Sequence, residues 1–385
     1  MSTDSAKIVV GGHICLDMIP TFPPEGGAAI QPGRLYIMGP VVNATGGAVS
    51  NTGLALHQLG VPTKLVGKVG NDLFGGEMLD ILRRYGTNLA DGMIVSEGES
   101  SSYTVVVSPP NIDRSFLHCP GTNDTFAADD IDANVLAGAR LFHFGYPTLM
   151  QRFYEDGGEQ ALQVMQLARS QGLITSLDMA MPDPSAAAGQ VDWESWLRRV
   201  MPAVDVFLPS IDEILFMLRR DLFDQFSSNG VEITSAVGGD LLNEVAEQLL
   251  GMGTQVVVLK LGDQGIYVRT AEPTRLAEGW HNRELATPCF EVDVIGTTGA
   301  GDSTIAGFLA ALVDDASPEE AVLAAVGVGA CGVEAADSTS GIRPMAEVQK
   351  RIAAGWARLP VSIDVGAWKW DDVGGFFVGP RDGTM

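Results

Sequence analysis

The chain has 385 residues, 46% of them hydrophobic, and sets 24 Lys and Arg against 48 Asp and Glu for a formal net charge of −24 at pH 7. So acidic a surface disfavours nucleic acid and anionic membranes as partners, while the length and apolar content suffice for one large α/β core with an appendage. The four cysteines, Cys15, Cys119, Cys289 and Cys331, are far apart and form no CxxC pair; their spacing suggests neither a zinc site nor a disulfide framework, and they read as small buried apolar residues.

The N-terminal MSTDSAKIVVGG lacks the basic start and sustained apolar core of a signal peptide, and no apolar run approaches the roughly 20 residues that span a bilayer, so a soluble cytoplasmic protein is expected. Short apolar runs at Ile8–Val10, Leu173–Leu177, Val204–Leu208 and Val256–Leu259 alternate with longer amphipathic stretches. That rhythm predicts βαβ units, a parallel sheet with helices on both faces and ligands at the carboxyl ends of its strands. Asp17, in GGHICLD, follows the first strand. Pro20–Val42 is rich in Pro and Gly and breaks the rhythm. Next comes GGAVSNTGLALHQLG, Gly46 to Gly60, with a helix expected over Asn51–Leu59 that Asn51 could cap, and then VGKVGNDLFGGEML from Val66. Ser100–Thr125 reads as a hairpin: SSYTVVV, the turn SPPNID, then RSFLHC. Arg114 and His118 on it could touch a ligand, although charges on an exposed strand also discourage edge pairing. His143, inside the apolar LFHFGY, is expected to be a satisfied core histidine. Asp178 ends the Leu173–Leu177 strand, Ser210 and Glu213 lie in FLPSIDEIL, and Lys260, Gly262 and Gly265 lie in LKLGDQG.

The densest signal is VDVIGTTGAGD, Val292 to Asp302, expected to be a strand entering a glycine-rich turn. Ile305, Phe308, Leu309 and Leu312 follow at the spacing of one helical face, which places the turn at a helix N-terminus. There Gly299, Ala300 and Gly301 can bring backbone N–H groups close to an anion. Gly296, Gly301, Asp302 and Ser303 match the P-loop spacing except for Asp where Lys belongs. An aspartate there would repel phosphate unless it takes the proton of an acceptor hydroxyl. The plainer alternative is a turn in which Asp302 merely caps the helix. Val322–Gly332, VLAAVGVGACG, is a small-residue helix suited to close packing on a strand, a helix or a ring, and Val361–Met385 shows no clear period.

GTTGAGD with its apolar helix, together with GGAVSNTG and its continuation, resembles the two signatures of the ribokinase-like (PfkB) sugar kinases, in their expected order and over about Ile8 to Pro360. The resemblance implies a ribokinase-like three-layer α/β/α fold with a mostly parallel central sheet and a small β-sheet lid. On that reading residues 1–360 form the kinase domain, with lid segments at about 18–45 and 98–125, and 361–385 are a C-terminal extension. It implies ATP-dependent phosphoryl transfer to a hydroxyl of a sugar or related polyol. Asp302 would be the general base, the Gly299, Ala300 and Gly301 amides would form the anion hole, and Asp17, Gly46, Gly47 and Asn51 would bind the acceptor. Lys260, Gly262, Gly265 and Gly329 would line the ATP site, while Glu213 and Asp178 would stand near Mg2+. Three features depart from the family pattern. Ser210 replaces the Asn of its NxxE motif, Asp178 lacks its usual Asn and Arg neighbours, and Gly296 replaces an Asp that helps to hold a monovalent cation, which makes a potassium requirement doubtful. A homodimer through the lid is implied as a possible assembly. A nucleoside kinase of the same fold, a non-catalytic sugar- or nucleotide-binding sensor and, more remotely, a P-loop NTPase are the competing readings.

Overall fold

The computed structural model describes residues 6–23, 32–109 and 115–383. Each short Val- and Ile-rich run becomes a strand, and the two-residue period of side chains sends alternate residues to opposite faces. Ile8, Val10, Val256 and Val258 enter one apolar cluster, while Val9, Val257 and Leu259 enter the other. Among the described residues these strands form a ten-stranded sheet. Thr63–Val66, Ile8–Gly12, Leu141–Gly145, Ile174–Leu177, Val206–Phe207 and Val256–Lys260 follow one another in parallel. Ile266–Thr270, Glu284–Thr287, Phe376–Val378 and Lys369–Asp371 then continue antiparallel to the far edge. The helices Ala48–Gln58, Ala300–Val313 and Pro318–Val333 supply the first cluster, and Glu159–Ser170, Trp193–Val200, Ile211–Leu218 and Gly239–Gly251 supply the second. None of the described helices is long and apolar enough to cross a membrane.

A second sheet of four strands, ordered Val41–Gly46, Cys15–Pro20, Tyr103–Val107 and Ser115–Cys119, stands at the carboxyl end of the Ile8–Gly12 strand. The chain passes from one sheet to the other at Gly12, where φ is +124° and an added Cβ would lie 2.2 Å from the Gly145 carbonyl oxygen. Only a residue without a side chain turns there. Within the hairpin, Tyr103 pairs with Cys119 and Val107 with Ser115. Arg114 and most of the connecting turn, like residues 24–31 within Pro20–Val42, lie outside the described residues.

Two local expectations need correction. Val292–Ile295 is not a strand: the Ile295 N–H donates to the Val333 carbonyl at 2.8 Å, at the end of a helix, and Val294 and Ile295 are 61% and 67% exposed. Backbone pairing to a helix terminus replaced the ladder that the apolar residues suggested. The helix expected from Asn51 begins at Ala48, with Gly47 (φ +87°) at its N-cap, so Asn51 lies inside the helix and does not cap it. The C-terminal residues add two strands to the main sheet, and Trp368 stacks on Tyr267 with ring centroids 5.4 Å apart.

Candidate active site

A cavity of about 560 Å³ opens where the Val256–Lys260 strand, the head of the Ala300–Val313 helix and the Pro318–Val333 helix meet. Gly299 caps the Ala300–Val313 helix in the left-handed region (φ +72°), and an added Cβ there would come 2.5 Å from Ser338 Cβ. Gly299, Ala300, Gly301 and Asp302 all border the cavity, as do Glu213, Lys260, Gly262, Gly265 and Gly329. The helix thus presents its unpaired amides and the positive end of its dipole to this space. Of those amides, Ala300 N–H is partly engaged, reaching the Thr297 carbonyl at 3.3 Å.

Asp302 sits in the first turn, 4% exposed. Its carboxylate accepts from Asn51 Nδ2 at 3.0 Å, Thr52 Oγ1 at 3.2 Å and Tyr146 OH at 2.7 and 2.8 Å. Burial raises its pKa above the usual carboxylate value, while the Tyr146 hydroxyl, Lys260 and the Asn51 and Thr52 bonds oppose that rise. Tyr146 was not legible in the sequence. It follows the Leu141–Gly145 strand in the left-handed region (φ 63°), a conformation uncommon for an aromatic residue and found where surroundings over-determine it. Thr52 was equally missed, although it adjoins Asn51 in the same helix turn.

Lys260 is the one basic side chain among the described residues bordering the cavity. Its charge favours the ionised forms of Asp302, Glu213 and Asp178, against the burial that raises all three. Ser210 and Glu213 form a reciprocal cap on the Ile211–Leu218 helix: Ser210 N–H donates to Glu213 Oε2 at 2.7 Å, and Glu213 N–H to Ser210 Oγ at 3.2 Å. Asp178 is fully buried behind the cavity and does not border it. Neither of its oxygens has a hydrogen-bond partner, and Oδ1 lies 3.5 Å from His143 Nε2. Burial pushes the Asp178 pKa well up and that of His143 down to about 3. His143 is satisfied on one side only, through Nδ1 and Ser176 Oγ at 3.0 Å.

Gly265 (φ +95°) passes so close to Thr287 that an added Cβ would lie 1.9 Å from its carbonyl oxygen, and Gly329 holds the Pro318–Val333 helix against Thr304. Asp17, Gly46, Gly47 and Asn51 do not border this cavity. They gather beyond Tyr146, under the four-stranded sheet. A Cβ on Gly46 would lie 2.4 Å from Asp17 Oδ2, and one on Gly47 2.5 Å from His13 Nδ1. The His13 ring is 6.2 Å from that of Tyr146, centroid to centroid, which links this group to Asp302. Burial raises the Asp17 pKa.

A buried, triply held carboxylate at a helix N-terminus, between an amide-lined cavity and a polar recess under a small sheet, defines a lidded α/β phosphotransferase. The chain belongs to the family described as pfkB family carbohydrate kinase, which it matches over residues 6–344, and it is accordingly an ATP-dependent carbohydrate kinase. It is 24% identical to probable fructokinase-4 of Arabidopsis thaliana over 314 residues, 81% of this chain and 84% of that protein. With the fructokinase of Solanum tuberosum the identity is 25% over 313 residues, 81% of this chain and 82% of the relative. The fold is that of the fructokinase with bound ATP from Xylella fastidiosa (TM-score 0.68, 19% identity, 91% of this chain and 99% of that one). The ribokinase of Thermotoga maritima is comparably similar (TM-score 0.66, 19% identity, 91% and 100%).

Proposed function

We propose that the enzyme transfers the γ-phosphoryl group of ATP to a hydroxyl of a small free sugar, with Asp302 as general base. The carrying observation is the hydrogen-bond count at Asp302. An ionised carboxylate has about four lone-pair sites. Asn51 and Thr52 fill two, and Tyr146, which has a single phenolic proton, fills one at a time although it approaches both oxygens. One site is left for an acceptor hydroxyl. That hydroxyl gives its proton to Asp302, its oxygen bonds to the γ-phosphorus, and the bond to the β-phosphate oxygen breaks to release ADP. The raised pKa of Asp302 suits the role, because a base nearer to the working pH takes a proton more readily. The Gly299–Gly301 amides and Lys260 face the transferring group, where positioning and charge stabilisation supply most of the rate.

Asp17 and Asn51, with Gly46 and Gly47 making room, are assigned to the acceptor side; Gly262, Gly265 and Gly329 to the nucleotide side. Glu213 borders the cavity and is the acid suited to hold hydrated Mg2+, which when bound neutralises charge on the triphosphate. Asp178 stands behind the cavity wall and acts on that site only through its field. A potassium requirement is not assumed, because Gly296 stands where the family commonly has Asp. A Cβ at Gly296 would lie 2.8 and 2.9 Å from the Ala335 and Ala336 carbonyl oxygens, so position 296 carries no carboxylate and has no room for one. Val41, Val42, Phe116 and Leu117 are each more than half exposed on the lid strands, which supports a homodimer through the lid.

The test is ADP release from ATP and Mg2+ across hexoses, pentoses, polyols and nucleosides, beside the Asp302→Asn variant. D-fructose is the first acceptor to try, given the named relatives. Turnover that needs a sugar and falls by about 10² or more in the variant, the scale of a general base, is expected. Turnover with nucleosides alone would replace the sugar assignment, and an active variant would remove Asp302 from its role.

A further inference from the structure

Beneath the lid, His13 and Cys15, two residues apart, meet His118 from a remote part of the sequence. His13, Cys15 and His118 each bring one donor atom, and these atoms all lie within 4.8 Å of one another. His13 is 2% exposed, Cys15 is 4% exposed, and neither ring nitrogen of His13 has a hydrogen-bond partner. A buried imidazole with both nitrogens unpaired is costly unless something binds it. Thr104 is placed as an outer partner to the other two residues: its hydroxyl lies 2.9 Å from His118 Nδ1 and 3.6 Å from Cys15 Sγ. With the hydroxyl proton directed to sulfur, His118 Nδ1–H must be the donor to the hydroxyl oxygen, and this fixes the tautomer that leaves Nε2 with a free lone pair. Asp17 Oδ1 is 3.4 Å from Cys15 Sγ and can complete a fourth position.

We propose that His13, Cys15 and His118 form a site for a borderline-soft divalent metal, Zn2+ being the ion that fits, with Asp17 or water as fourth ligand. Two imidazoles and a thiolate in a tetrahedral set suit zinc, whereas Mg2+ requires oxygen donors. Bond lengths of about 2.0 Å to nitrogen and 2.3 Å to sulfur bring donors to about 3.5 Å from one another, so closure by about 1 Å completes the set. Cys15 and His118 lie on lid strands, which makes lid movement the natural means of closure. On binding, the Cys15 thiol loses its proton to solvent and the sulfur–metal bond forms. His118 is the exposed member of the set and gives the ion a way in. Because Asp17 is a neighbour, zinc in this site would exclude the acceptor; that consequence, unlike the site itself, rests on the acceptor assignment above.

Co2+ is the spectroscopic probe. Titration of the chelator-treated full chain, without ATP or sugar, should give one equivalent of bound cobalt with a thiolate-to-metal charge-transfer band, abolished by equimolar Zn2+. Cys15→Ser should lose the band. His118→Gln, an exposed change that leaves the core intact, should weaken binding by at least about 10-fold, and Thr104→Val by about 10-fold, the scale of an outer-shell partner. Asp302→Asn should bind cobalt like the wild type, so this result stands apart from the fate of the kinase assignment. Absence of a band in the wild type, its survival in Cys15→Ser, or unchanged affinity in His118→Gln would overturn the site.

Discussion

The two ends of the active site are built by opposite means. On the assignment proposed above, the nucleotide end centres on one continuous stretch of chain, Gly296 to Asp302, in which glycine conformation and a helix terminus set the geometry, and a single lysine, Lys260, supplies positive charge. The acceptor end draws on His13 to Asp17, Gly46 to Thr52, Tyr146 and His118, and its character comes from titratable groups forced together by tertiary structure. Backbone amides aimed at phosphate need no particular sugar, so the first end can be generic. Side chains crowding an acceptor discriminate, so on the proposed assignments the second end would set specificity and expose the enzyme to metals.

Substitutions can sharpen that contrast. The largest effect after Asp302→Asn is expected from Lys260→Met, which removes the cavity's basic group and leaves Asp302, Glu213 and Asp178 without a compensating charge. A charge-assisted contact contributes about 1.5–3 kcal/mol, so kcat/KM for ATP should fall by roughly 10- to 100-fold while the acceptor KM moves little. An acceptor effect as large as the nucleotide effect would erase the division between the two ends.

Tyr146→Phe follows, at about 10-fold in kcat, the rate equivalent of about 1.4 kcal/mol. The Tyr146 bond lowers the Asp302 pKa against burial, so its loss should raise that pKa further. In its proposed role as base, Asp302 works deprotonated. Activity therefore disappears as pH falls through this pKa, and the acid limb of the kcat profile should move to higher pH in the variant. A drop in kcat with an unmoved limb would mean that Tyr146 only packs. At the other end Asp17→Asn should raise the acceptor KM several-fold without changing the KM for ATP.

What the sequence disclosed follows the same division. The glycine-rich turn at the head of the Ala300–Val313 helix was legible because its determinants are local: small residues, one acid and a 3.6-residue apolar period. The parallel strands were legible because doubly buried strands are continuous apolar runs. Val292–Ile295 misled for a related reason, since three apolar side chains among four residues look alike whether their backbone pairs with a strand or with the end of a helix. Tyr146 could not be read, because nothing adjacent to it announces a left-handed backbone or a contact with Asp302. The His13, Cys15 and His118 group was invisible to cysteine spacing, because one His beside one Cys forms no ligand motif and His118 joins them only through the fold. Ser210, which looked like a damaged metal motif, proved to be half of a helix capping box.

Gly329 gives the smallest effect and the finest discrimination, because the nucleotide end contains it while packing alone could account for it. It borders the cavity, and an added Cβ would lie 2.4 Å from Thr304 Oγ1, which itself donates to the Ala300 carbonyl at 2.9 Å at the head of the Ala300–Val313 helix. Gly329→Ala should cost about 1–3 kcal/mol of stability by overpacking, measured by denaturant unfolding, and should disturb the Ala300–Gly301 amides by displacing Thr304. If helix contact is its purpose, adding Thr304→Ala should relieve the clash. The double variant would then be more stable than the sum of the single variants predicts, as coupled neighbours are, and the KM for ATP should recover with it. If the small residue is needed instead as a surface for the nucleotide base, stability should recover while the KM for ATP stays raised, because the methyl group at residue 329 would still project into the cavity.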